Sequence, residues 1–143
     1  MTNTQNSNNK NFSIHPEVTK RLTKPIAIKL YKKLINKKAE LSNRPFASKH
    51  ALSHLGREKG GDQADQVNRL QEEAKYTGQM QRDLLLLEKI LQALERMENG
   101  RYGICEQTEE VIELKRLESL PWTTLSIEGA EIAESENLFR QVR

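Results

Sequence analysis

Apolar residues recur along the chain at helical spacings in two long stretches. Between Pro25 and Asn43, Ile26, Leu30, Leu34 and Leu41 fall on one side of a helix and lysines fill the other. Pro25 suits a first turn, where its missing N–H costs nothing. Pro45 interrupts the pattern, so Asn43-Arg44-Pro45 predicts either a helix end or a kink. Ala47, Ala51, Leu52 and Leu55 then resume a helical side, which Gly56 and Gly60-Gly61 bring to a stop. Met80, Leu84, Leu87, Leu91 and Leu94 follow at spacings of 4, 3, 4 and 3, the repeat of a heptad seam. Asn99-Gly100 closes it as a C-cap pair. A second helix is therefore predicted from about Asp65 to about Glu98, on the order of 50 Å long.

Two arms of matched length joined by a glycine turn predict an antiparallel helical hairpin, a coiled coil spanning 26–99 with its tip near 59–66. The seam turns polar toward the tip, so that end should be solvated and able to enter another molecule. Beyond Gly100 the pattern becomes short and broken. Val111, Ile112, Leu114 and Leu117 form an apolar patch, Leu120-Pro121-Trp122 breaks the chain, and Thr124 to Ile127 could be extended. Ile132, Leu138 and Phe139 mark a last short helix over Glu128 to Arg140. The predicted organisation is a disordered tail at 1–14, an N-terminal segment of the globular part at 15–25, the hairpin, a small globular unit at 100–127 and a C-terminal helix at 128–143. The fold class is all-α.

Composition narrows the function. Of 143 residues, 36% are hydrophobic, 5% aromatic and 30% charged, which suits a solvated helical protein rather than a β-sandwich or a large enzyme core. No apolar run approaches the roughly 20 residues of a membrane span. Met1 to Asn11 holds five Asn and no apolar stretch, so no signal peptide is expected and the protein reads as cytoplasmic. One cysteine excludes an internal disulfide and any site with two cysteine ligands. The first fifty residues carry eleven basic and two acidic groups, against twelve and eighteen in the remainder. That basic half could meet a nucleic acid or an acidic protein surface. It reads first as a solvated helix face, because no aromatic residues interleave with Lys29, Lys32, Lys33, Lys37 and Lys38.

Few residues suggest chemistry. Asp62 and Asp65 stand at i and i+3 after two glycines, a pair that could approach a metal ion or basic groups at a narrow tip. Helix capping explains the same spacing. His50 and His54 are an i,i+4 pair without further ligands, and Cys105 alone reads as a small buried hydrophobe. No nucleophile–base set or phosphate-cradling loop is present, so no enzyme is expected.

The stretch Leu94-Glu95-Arg96-Met97-Glu98-Asn99-Gly100-Arg101-Tyr102-Gly103-Ile104-Cys105 ends a long helix in a G-x-Y-G-x-C turn. With Val111-Ile112, Lys115-Arg116-Leu117-Glu118 and Pro121 after it, this part of the chain resembles the DksA/TraR family. The resemblance is good over about 83–127 and looser over the hairpin and its D-x-x-D tip. It implies a transcription regulator that binds bacterial RNA polymerase directly, rather than DNA, as a monomer without a membrane partner. The globular part and C-terminal helix would dock at the β′ rim of the secondary channel, and the hairpin would reach inward. Asp62 and Asp65 would then be the tip carboxylates near the active centre, with Val67 where the family usually has Ala. Arg82 and Lys89 match basic positions that contact the polymerase rim.

Two departures follow from the same resemblance. The family's four zinc cysteines fall on Cys105, Thr108, Ser126 and Gly129, so a degenerate zinc-finger-like domain is expected, with no zinc or other cofactor. Burial of Ile104, Ile112, Leu117, Trp122 and Ile127 would hold it instead. Leu120 and Ala130 replace basic residues that face guanosine tetraphosphate, leaving Lys89, so full sensitivity to that nucleotide is not expected. The alternatives are a helical adaptor whose coiled coil binds partner helices, or a nucleic-acid-binding protein using the lysine-rich first arm. Transcript-cleavage factors of the Gre type share an acidic hairpin, but theirs precedes a β-rich domain that is not seen here.

Overall fold

The computed structural model describes residues 12–55 and 63–142, with side chains for all of these except 45–55. Five helices account for most of them: α1 (Pro16–Leu22), α2 (Lys24–Leu55), α3 (Gln63–Asn99), α4 (Leu114–Ser119) and α5 (Ile127–Gln141). Among the described residues there is no strand, only one isolated antiparallel bridge between Ile104 and Val111. The fold is all-α, as the spacing predicts.

Helix α1 starts at Pro16, with His15 as its N-cap, whose Nδ1 accepts from the Glu17 N–H at 3.2 Å. Its buried residues are Val18 and Leu22, and the His15 N–H donates to the Met97 carbonyl at 2.8 Å. The segment just before α1 is thereby fastened to the end of α3. Phe12 is also packed, edge-on to Tyr31 at 5.3 Å, and Ile14 lies against the core. The expected disordered tail therefore does not extend to residue 14; its first eleven residues lie outside the described region.

Helix α2 buries Ala27, Leu30, Leu34 and Leu41, one stripe at spacings of 3, 4 and 7. It runs through Pro45 to Leu55, so Pro45 does not end the arm. The proline removes the bond its N–H would have made to the Leu41 carbonyl and sets its ring against that carbonyl. Helix α3 begins at Gln63, two residues before the predicted start, and packs antiparallel along α2.

The buried stripe of α3 is Asp83, Ile90, Ala93 and Met97, with Leu86, Leu87 and Leu94 half-buried beside it. This corrects the predicted seam. Met80, Leu84 and Leu91 remain 40%, 57% and 46% exposed. The apolar run Leu84 to Leu87 offers two helical stripes. Docking of α1 and the globular end against the last turns of α3 selects the one that carries Ile90, Ala93 and Met97.

After α3, Gly100 (φ 86°) and Gly103 (φ 85°) take left-handed conformations that favour glycine. The N–H groups of Arg101 and Tyr102 both return to the Arg96 carbonyl and close the helix. The segment then folds back on itself, with the Ile112 N–H on the Gly103 carbonyl and the Cys105 N–H on the Glu110 carbonyl. Tyr102, Cys105, Ile112 and Leu117 are among its buried residues. Of the expected core, Ile112 and Leu117 are buried and Ile104 and Trp122 half-buried, whereas Ile127 is exposed. Ile127 opens α5 rather than ending a strand, one residue before the predicted start.

Candidate functional site

The sequence-predicted residues fall in two separate places. The first is the exposed surface of α3 from its first turn to Lys89. Asp65 lies in its first turn, where its charge suits the helix N-terminus. Asp65 and Val67 are exposed, Val67 by 52%. Asp62 and the rest of the turn lie outside the described residues. Arg82 and Lys89 are exposed and two helical turns apart, hence on one face. Seventeen residues separate Asp65 from Arg82, about 26 Å along the helix axis. The arm therefore holds its basic pair and its terminal carboxylate well apart.

The second place is the globular end, where Cys105, Thr108, Ser126 and Gly129 converge. A Cβ built on Gly129 would overlap the Cys105 sulfur and crowd the Ser126 Oγ at 3.2 Å. Ser126 is the N-cap of α5, and its Oγ accepts from the Gly129 N–H at 3.0 Å. Cys105 is 1% exposed. Burial pushes its thiol pKa up, but the hydroxyl and backbone groups of Ser126 and Thr108 facing the sulfur outweigh that and bring it down to about 6.

These residues do not fit a zinc ion. Three of the four positions lack a thiolate, the Ser126 oxygen is committed to capping α5, and the sulfur lies where a side chain at 129 would begin. Among the described residues no group of three or more His, Cys, Asp or Glu could hold a metal.

Polar clasps hold this end together instead. The buried Tyr102 hydroxyl donates to the Pro121 carbonyl at 2.7 Å, and burial pushes its pKa up. Arg96, on α3, donates to the carbonyls of Arg101 and Ile104 and pairs with Glu106 at 2.6 Å. Arg21 donates to the Tyr102 carbonyl at 2.6 Å, and Arg116 to the Leu125 carbonyl at 2.8 Å. Sequence reasoning missed these roles, although the Ser126 N-cap had a signal: a serine immediately before a helix.

The lysine-rich arm is partly engaged within the molecule. Lys33 donates to the Glu118 carbonyl at 3.1 Å, Lys37 pairs with Glu40 at 3.2 Å, and Lys29 stands 3.9 Å from Glu118. Lys32 lies over the Phe12 ring, 5.7 Å from its centroid.

A long two-helix arm on a small globular end fastened by arginine–carbonyl clasps defines a helical-hairpin protein with a finger that holds no metal set. No family model matches the chain. A relative in Caulobacter vibrioides, the RNA polymerase-binding transcription factor DksA, is 41% identical over 86 residues, 59% of this chain and 61% of the relative. That match thus spans less than two thirds of the relative's length. General stress protein 16O of Bacillus subtilis is 29% identical over 118 residues, 80% of this chain and 72% of that protein. The solved structure of transcription factor DksA2 from Pseudomonas aeruginosa superposes with a TM-score of 0.70 at 31% identity, over 86% of this chain and 93% of that one. The structure of the RNA polymerase binding protein and transcriptional regulator Dks from Chlamydia trachomatis shares the fold, with a TM-score of 0.51 at 24% identity. The chain belongs to the DksA-like family.

Proposed function

We propose that the chain is a non-enzymatic, cytoplasmic regulator that binds bacterial RNA polymerase directly and modulates transcription initiation. It enters the secondary channel hairpin first, as a monomer, and carries Asp62 and Asp65 toward the active centre. Arg82 and Lys89 face the β′ rim. It acts without zinc and without contacting DNA. Guanosine tetraphosphate is a candidate ligand at the polymerase interface, and with Lys89 alone in place of a fuller basic set full sensitivity to it is not expected.

The observation that carries this reading is the asymmetry of the hairpin. Its base is buried against the globular end, while Asp65 sits exposed at the far end of α3, where almost every residue from 63 to 82 faces solvent. An arm built for internal packing would bury that half. The relatives named above as RNA polymerase-binding factors supply the partner.

Asp62→Asn and Asp65→Asn test the tip. Each should abolish most of the effect on initiation in a purified transcription assay while leaving affinity for core polymerase nearly unchanged. Transcription equal to wild type in both variants would remove the carboxylates from the mechanism. A second reading, a helical adaptor, draws on the half-exposed Met80, Leu84 and Leu91. It predicts binding to a partner helix that polymerase does not displace.

A further inference from the structure

The packed part of the hairpin ends at a charged residue. Going outward along α3, the buried stripe runs Met97, Ala93, Ile90 and then Asp83, the one buried ionisable group outside the globular end among the described residues that carries a formal negative charge. Its Oδ1 receives two donors, Arg44 Nη1 from α2 at 3.1 Å and Gln79 Nε2 from its own helix at 2.8 Å. Arg44 is in turn held by Glu40 at 2.7 Å. Beyond this point no apolar side chain of α3 is buried among the described residues, and a cavity of about 300 Å³ opens between the arms beside Leu41, Tyr76 and Met80. The next residue of α2 is Pro45, which leaves the Leu41 carbonyl without its helical donor.

A single ion pair in an otherwise apolar helix seam disfavours sliding, because a shift of one turn would leave a buried charge without its partner. The apolar residues outward of Ile90 do not supply that discrimination. Leu84 to Leu87 fits two stripes, and among the described residues the distal half of α3 buries no apolar side chain that would fix it.

We infer that Arg44 and Asp83 lock the register of the hairpin at the junction between its packed base and its solvated half, and so set where the distal end of α3 is delivered. They are positioning residues, and neither needs to touch the partner. Gln79 extends the lock outward, since its Oε1 accepts from Arg82 Nη2 at 3.1 Å. The consequence for delivery of Asp65 rests on the proposed reading of the hairpin, whereas the register lock itself does not.

Charge reversal on the intact chain tests both parts. In Arg44→Asp and in Asp83→Arg, amide hydrogen exchange in residues 63–82 should rise by about tenfold or more, while residues 90–97 keep wild-type protection. Affinity for core polymerase should stay within about twofold, and the effect on initiation at saturating protein should fall by about fivefold or more. The double swap should recover both readouts. A loss of fold alone would lower affinity and protection together and would not spare the base. Unchanged exchange in the single variants, or a double swap that recovers neither readout, overturns the lock. Exchange that behaves as expected in a protein that never engages polymerase keeps the lock and overturns the proposed function.

Discussion

The sulfur of Cys105 and the α-carbon of Gly129 are packed so closely that a Cβ at 129 would overlap the sulfur. The contact joins the turn after α3 to the first turn of α5. Gly129→Ala should therefore destabilise the chain by about 1–3 kcal/mol through overpacking. Urea unfolding followed by circular dichroism reads this, and a midpoint equal to wild type would contradict the close packing. By the same geometry, Gly129→Cys should lower stability rather than restore a metal site.

The Cys105 thiol gives a pH dependence of definite sign. Its pKa is lowered from 9.0 to about 6 in the folded protein. The unfolded chain therefore holds a proton that the folded chain has released, and stability rises as pH increases between those values. The contribution is complete above the unfolded value and is lost as pH falls through about 6. The slope is at most about 1.4 kcal/mol per pH unit. Cys105→Ala should flatten the rise in unfolding free energy over that range, and thiolate ultraviolet absorbance of the wild type should titrate with a midpoint near 6. Equal slopes in the two proteins would contradict the account.

Tyr102→Phe removes one hydroxyl and leaves the Pro121 carbonyl without its buried donor. The expected loss is about 1–3 kcal/mol. Phe139, 78% exposed on α5, is the matched surface site, and Phe139→Ser should change stability by less than about 0.5 kcal/mol. Equal effects of the two substitutions on the unfolding midpoint would deny Tyr102 its role as a clasp.

Much of the architecture was legible because helical periodicity is local. Leu30, Leu34 and Leu41 announced the buried face of α2, and Asn99-Gly100 announced the end of α3. What the pattern could not decide was which stripe of α3 is buried. Four consecutive leucines satisfy two faces equally, and the choice depends on α1 and the globular end, which are distant in sequence. Asp83 carried no sequence signal of burial, because its partner Arg44 lies 39 residues away. Pro45 left a helix end and a kink both open, and only the folded chain shows one helix continuing through it. At the globular end the resemblance located Cys105, Thr108, Ser126 and Gly129. Only in the folded chain does it emerge that the serine caps α5 and that the glycine makes room for the sulfur.

The central claim is that this hairpin engages the polymerase secondary channel. Competition between the purified chain and a known secondary-channel factor for bacterial core RNA polymerase tests it most directly. Mutually exclusive binding, with a dissociation constant of about 1 μM or tighter, is the result expected for a specific interface. Simultaneous binding of both proteins, or no binding by a chain that circular dichroism shows to be helical, would contradict the claim.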